Sequence, residues 1–141
     1  EAAKLKARLA SSASATASAA SIQRLPSVSI DEGAHKYVLI SAEEPSTSSN
    51  TSEQYFVVSR RGAAYHRNAA EPFVAKLEER GYQAIRVTGG GRIFLEEDAK
   101  RISIFGFSYS FGKGNHELSR QVILEDDRYK DYDVSWSDDG Y

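Results

Sequence analysis

From residue 28 onward, short apolar stretches alternate with turns in a way that reads mostly as strands, interrupted twice by helical spacing. Val28-Ser29-Ile30 predicts a short strand and Asp31-Glu32-Gly33 a turn. His35 to Ile40 alternates with period two, setting Lys36 on one side with Val38 and Ile40, and His35 on the other with Tyr37 and Leu39. Ala42 to Glu53, with Pro45 and a Ser/Thr/Asn cluster, reads as a mobile loop, and Gln54 to Ser59 as the next strand. Ala70, Phe73, Val74 and Leu77 then recur at helical spacing. Gly81 closes that helix and Pro72 fits in or near its first turn, which puts His66 at or just before the helix start. Tyr82 to Thr88 alternates as a strand, Gly89-Gly90-Gly91 reads as a turn, Arg92 to Leu95 starts another strand, and Glu96 to Lys100 makes a charged turn.

The stretch Arg101 to Ser119 organises the rest. With period two, Ser103, Phe105, Phe107, Tyr109 and Phe111 fall on one side and Ile102, Ile104, Gly106, Ser108 and Ser110 on the other. Both sides are largely apolar, as expected for a central strand covered on both faces. A helix over about His116 to Glu125 and a short strand at Val134 to Ser137 complete the chain. The order β-β-β-α-β-β-β-α-β argues a single α+β domain, a mixed, roughly six-stranded β-sheet with two helices.

Three features carry candidate chemistry. Ile102, Gly106, Ser108 and Ser110 taper to small, hydroxylic side chains, leaving room beside the backbone, and Phe111-Gly112-Lys113-Gly114-Asn115 then leads into a helix start. Such a turn aims backbone N–H groups at an anion, although the same residues also describe an ordinary turn. His66 at a helix start feels the positive end of the dipole, which favours neutral, nucleophilic imidazole; a capping or packing residue is the plainer alternative. Lys36 shares a strand face with core residues, whether to serve a site or to reach past them to solvent.

Composition narrows the field. The 141 residues suit one domain, and a net charge of -2 gives no reason to invoke nucleic acid. With no cysteine, neither disulfides nor a thiol nucleophile is available, and no apolar run approaches the ~20 residues of a membrane span. Residues 1–27 form an Ala/Ser-rich, basic extension to the domain of residues 28–141, similar to an organellar presequence or a flexible tail that a partner holds. The body is compatible with the cytoplasm, while the extension raises an organelle or a large complex as the alternative.

Other motifs fail. Gly89-Gly90-Gly91-Arg92 lacks the Gly-Lys-Ser/Thr of a phosphate-binding loop, and no apolar strand precedes Asp131-Tyr132-Asp133-Val134 to make an aspartate phosphatase motif. Phe105-Gly106-Phe107 lacks the basic residue and glycine that precede an RNA-binding aromatic strand. The three histidines have no metal-ligand spacing.

Taken together, His35-Lys36-Tyr37-Val38-Leu39-Ile40, Ala64-Tyr65-His66, Gly89-Gly90-Gly91-Arg92-Ile93, Ile104-Phe105-Gly106-Phe107-Ser108 and the terminal Asp133 to Tyr141 resemble, in order and spacing, the phosphohistidine phosphatase (Janus) family. The resemblance implies an enzyme that needs no metal or cofactor and removes phosphate from phosphohistidine in a protein substrate, or from phospholysine. It implies His66 as the catalytic residue, Lys36 and Arg92 as phosphate-binding cations, and the amides of Ser108, Tyr109 and Ser110 as a phosphate cradle. Arg60 or Arg61 is implied in a supporting role; His116, at the start of the second helix, matches a histidine of the family and reads equally as a supporting or a capping residue. Arg67-Asn68-Ala69-Ala70 stands where family members carry a short acidic stretch after the histidine. A rival from another class is a family member used as a fixed subunit of a larger assembly, anchored through residues 1–27.

Overall fold

The computed structural model describes residues 25–45 and 53–137. Most of the extension, the core of the expected loop at 42–53 and the last four residues lie outside them. Eight elements follow in order: β1 (Val28–Ser29), β2 (Gly33–Glu43), β3 (Glu53–Ser59), α1 (His66–Glu79), β4 (Gln83–Glu96), β5 (Arg101–Phe105), α2 (His116–Leu124) and β6 (Asp133–Trp136). The strands form one six-stranded sheet in the order β1-β3-β2-β4-β5-β6. Its outer pairs, β1 with β3 and β5 with β6, are parallel, and the inner pairs are antiparallel. The fold is the single-domain α+β arrangement expected from the sequence.

Alternation along β2 divides the core in two. Val38, Ile40 and Ala42 pack with Phe56, Val58 and the α1 residues Ala70, Phe73 and Leu77. Tyr37 and Leu39 pack on the opposite face with Val57, Ile93, Leu95, Ile102, Ile104 and the α2 residues Val122 and Ile123. Fully burying a side chain such as Leu77 contributes about 1.5–3 kcal/mol. The helices therefore clamp the sheet from both sides. Leu25 to Ser27, assigned by the sequence to the extension, join the domain: Leu25 packs beside the α1 cluster, and Ser27 O accepts from Val57 N–H at 2.8 Å.

Three expectations need correction. The strand covered on both faces is β2. The expected central strand ends at Phe105; on β5 only Ile102 and Ile104 are buried, and the chain leaves through Gly106 at φ +74°. Second, Gly89-Gly90-Gly91 is no turn. It lies inside one long strand, paired with Leu39, Val38 and Tyr37 of β2. Third, Pro72 sits beyond the first turn of α1, whose first residue is His66. There it removes a helical donor for the Asn68 carbonyl.

Candidate active site

The glycine run in β4 is the base on which the site is built. A Cβ on Gly90 would lie 2.4 Å from Tyr37 O, 3.2 Å from His66 Cδ2 and 3.5 Å from Ser108 Cβ. On the other face, a Cβ on Gly91 would lie 2.4 Å from Phe105 O and 3.0 Å from His116 Cε1. Glycine is required here because neighbours approach the backbone from both sides. The segment 106–114 lies along this stretch of β4, where Gly90 N–H donates to Gly112 O at 3.0 Å and Gly114 N–H to Gly90 O at 2.9 Å. His66, from the first turn of α1, and Ser108, from that segment, thus meet over Gly90 on the α1 face.

His66 is 5 % exposed, and its Nε2 lies 2.8 Å from Gly91 O. A carbonyl oxygen only accepts, so Nε2 carries the proton and Nδ1 the lone pair. Nδ1 has no hydrogen-bond partner among the described residues, nor is it sealed from solvent; the Ser41 hydroxyl is the enclosed, unpartnered side-chain atom there. Burial holds the His66 pKa below its ordinary 6.5 against the opposing pull of the Gly91 carbonyl, and the charges of Lys36 and Arg92 lower it further. Lys36 and Arg92 are directly opposed across β2 and β4, two residues along the ladder from the Val38–Gly90 pair and on the same face. Like charges so placed repel, and an anion between them reverses the sign of that interaction.

The segment carrying Ser108 to Ser110 is closed by its own bonds. Ser108 N–H donates to Gly112 O at 3.1 Å, Gly112 N–H to Ser108 O at 2.8 Å, and Phe111 N–H to Ser108 Oγ at 3.1 Å. The Ser108 amide is therefore engaged within the loop. Its hydroxyl, which accepts from Phe111, keeps its own proton to donate. Ser110 N–H has no acceptor among the described residues, and Tyr109 is 87 % exposed beside it.

His116 lies on the other face. It is the first residue of α2, capped by Asn115, whose Oδ1 accepts from Leu118 N–H at 3.0 Å. His116 Nε2 donates to Gly106 O at 2.9 Å, so Nδ1 accepts from the Tyr37 hydroxyl at 2.6 Å; Ser119 Oγ lies 3.1 Å from the same hydroxyl. Burial pushes the Tyr37 phenol well above its ordinary pKa, so it remains a donor. This chain ties β2, the start of segment 106–114 and α2 together. Tyr37→Phe leaves a buried imidazole nitrogen unpaired and is expected to cost about 1–3 kcal/mol in urea unfolding. A cavity of about 490 Å³ opens on this side, lined by Lys113, His116 and Trp136 among others, and does not include His66.

Of the residues singled out from sequence, His66, Lys36, Arg92 and Ser108 converge on one face. Arg61 is engaged elsewhere: its N–H donates to Asp31 Oδ2 at 2.7 Å and its Nη2 to Glu32 O at 3.2 Å. Arg60 is exposed beside it. Gly90 and Tyr37 were missed as site residues, and the available signal was three glycines in an otherwise strand-like alternation. No group of three potential metal ligands occurs among the described residues, and no helix among them is long and apolar enough to cross a membrane.

Residues 22–133 match the Janus/Ocnus family model. The chain belongs to the Janus/Ocnus family. Within it, the chain is 34 % identical to the 14 kDa phosphohistidine phosphatase of Sus scrofa over 129 residues, 89 % of this chain and 99 % of that protein. It is 31 % identical to the 14 kDa phosphohistidine phosphatase of Homo sapiens, covering 86 % of this chain and 98 % of the human protein. The chain is also 33 % identical to the sex-regulated protein janus-A of Drosophila pseudoobscura pseudoobscura, over 85 % of this chain and 80 % of that protein. The names of these relatives describe an activity in two cases and a pattern of expression in the third.

Proposed function

We propose that this chain is a phosphohistidine phosphatase acting on a phosphorylated protein. The observation that carries the reading is the meeting of a buried, neutral imidazole and the Ser108 hydroxyl over a side-chain-free strand, beside two opposed cations on the same face. Phosphoryl transfer needs positioning and charge neutralisation more than covalent help. Lys36 and Arg92 stabilise the equatorial oxygens of the phosphoryl group, with the Ser108 hydroxyl and the Tyr109 and Ser110 amides completing the cradle.

His66 acts through Nδ1. As a base, it takes a proton from the water that attacks phosphorus; as a nucleophile, it attacks phosphorus itself and passes the phosphoryl group to water afterwards. In both routes the P–N bond to the substrate imidazole breaks, its electron pair stays on the leaving nitrogen, and that nitrogen takes up a proton from solvent. In both, the His66 ring gains positive charge while Nε2–H stays on the Gly91 carbonyl, which holds the ring in one orientation. The cations that oppose this charge in the empty site are offset once the phosphoryl anion lies between them.

The test is hydrolysis of phosphoramidate and of phosphohistidine by the purified chain in the presence of a chelator. Turnover is expected. A chain that binds phosphate yet leaves both substrates intact is instead the fixed, non-catalytic subunit. The pH profile follows from the depressed His66 pKa. The neutral ring is the competent form, so kcat/KM, which reports the free enzyme, is expected to show no loss from His66 protonation as pH falls to 6.5 and to decline only below it. Stability follows the same sign: the folded state binds this proton less readily than the unfolded chain, so stability is complete above pH 6.5 and is lost as pH falls toward the folded pKa.

A further inference from the structure

Five large hydrophobic side chains are exposed among the described residues: Tyr65, Phe94, Phe107, Tyr109 and Trp136. Three of them are sequence neighbours of the residues that meet over Gly90. Tyr65, 62 % exposed, immediately precedes His66, while Phe107 and Tyr109 flank Ser108, and His66 and Ser108 are the two side chains that meet over Gly90. Phe107 and Tyr109 are already assembled edge to face, with centroids 5.0 Å apart. Exposed rings next in sequence to the residues of one small polar hollow suit a contact surface for something larger than an anion.

The charge beside these rings is also informative. Arg67 stands in the first turn of α1, its guanidinium carbon 5.2 Å from the Tyr65 ring centroid. That turn contains no acidic residue, so the cation sits at the positive end of the helix dipole, where it is locally unfavourable. No carboxylate among the described residues pairs with Arg67. Arg60, likewise without an ion pair there, lines a cleft of about 440 Å³ with Asn68 and Pro72 of the same helix; Glu71 is the carboxylate in that lining. The cation and the ring that supports it thus face outward from the helix start that supplies His66.

We propose that Tyr65, Arg67, Phe107 and Tyr109 form a rim that holds the polypeptide on either side of the phosphorylated residue, and that Arg67 selects segments with a carboxylate next to it. This rests on the phosphatase reading and adds to it a substrate class: a phosphohistidine set in an extended, acidic peptide. The rings supply sequence-tolerant contact with the peptide, and the guanidinium, held in place by Tyr65, supplies the selection.

Three phosphohistidine peptides of equal length test this, with neighbours of the phosphorylated residue all Asp, all Ala or all Lys, alongside phosphoramidate, which is too small to touch the rim. The wild type is expected to prefer the acidic peptide over the lysine peptide by about fivefold in kcat/KM, expressed in KM, as befits an exposed charge contact. Arg67→Glu reverses the order and Arg67→Ala removes it, with phosphoramidate turnover unchanged in both. Equal use of the three peptides by the wild type, or a preference that survives Arg67→Glu, overturns the inference while leaving the phosphatase reading in place. Failure of the wild type to hydrolyse phosphoramidate as well overturns both.

Discussion

His66→Ala is expected to abolish turnover of phosphohistidine, by at least about 10³-fold in kcat, while the protein remains folded. The residue offers the one imidazole nitrogen that has a free lone pair at the hollow, so no neighbour takes over. His116 does not replace it, because both its nitrogens are bound and it lies on the other face of the sheet. Loss of the buried ring removes one hydrogen bond, to Gly91 O, at the beginning of a helix held by the apolar contacts of Ala70, Phe73 and Leu77, so the fold is expected to persist. Arg92→Ala is the companion measurement. Removing one preorganised charge lowers kcat by roughly 10²–10³-fold with the base still present. The outcome that would sink the assignment is His66→Ala retaining turnover with a native circular dichroism spectrum.

Gly90→Ala should be damaging for a different reason. The added carbon would meet the Tyr37 carbonyl at 2.4 Å, and backbone at that distance must move. Overpacking of this kind typically costs about 1–3 kcal/mol, read as a lowered thermal midpoint. The same carbon intrudes between His66 and Ser108, so activity should fall further than the loss of folded protein explains. A variant of native stability and native turnover would show that the space over Gly90 is not used.

How much of this was legible in the chain depends on whether local and tertiary forces agreed. They agreed for α1, where Ala70, Phe73 and Leu77 form a buried stripe and His66 stands at the start. They agreed for the two faces of β2, which put Lys36 on the side of Val38. They disagreed at Gly89 to Gly91: glycine weakens strands, so local rules favour a turn. The strand persists because segment 106–114 and two imidazoles approach too closely for any side chain. They disagreed again after Phe105. Period-two counting continued the strand through Phe107 and Tyr109, whereas Gly106 turns the chain out and leaves those rings in solvent. Asn115, not His116, caps α2, a distinction that depends on one hydrogen bond and leaves no trace in hydrophobic spacing.

Because β4 carries no side chains at its glycine run, the sheet there is only as thick as the backbone itself. The peptide group that receives the His66 proton donor belongs to the same residue against which the His116 ring rests from behind. Front and back of the molecule share one thin wall at that point, with no side chain of β4 between the two imidazoles.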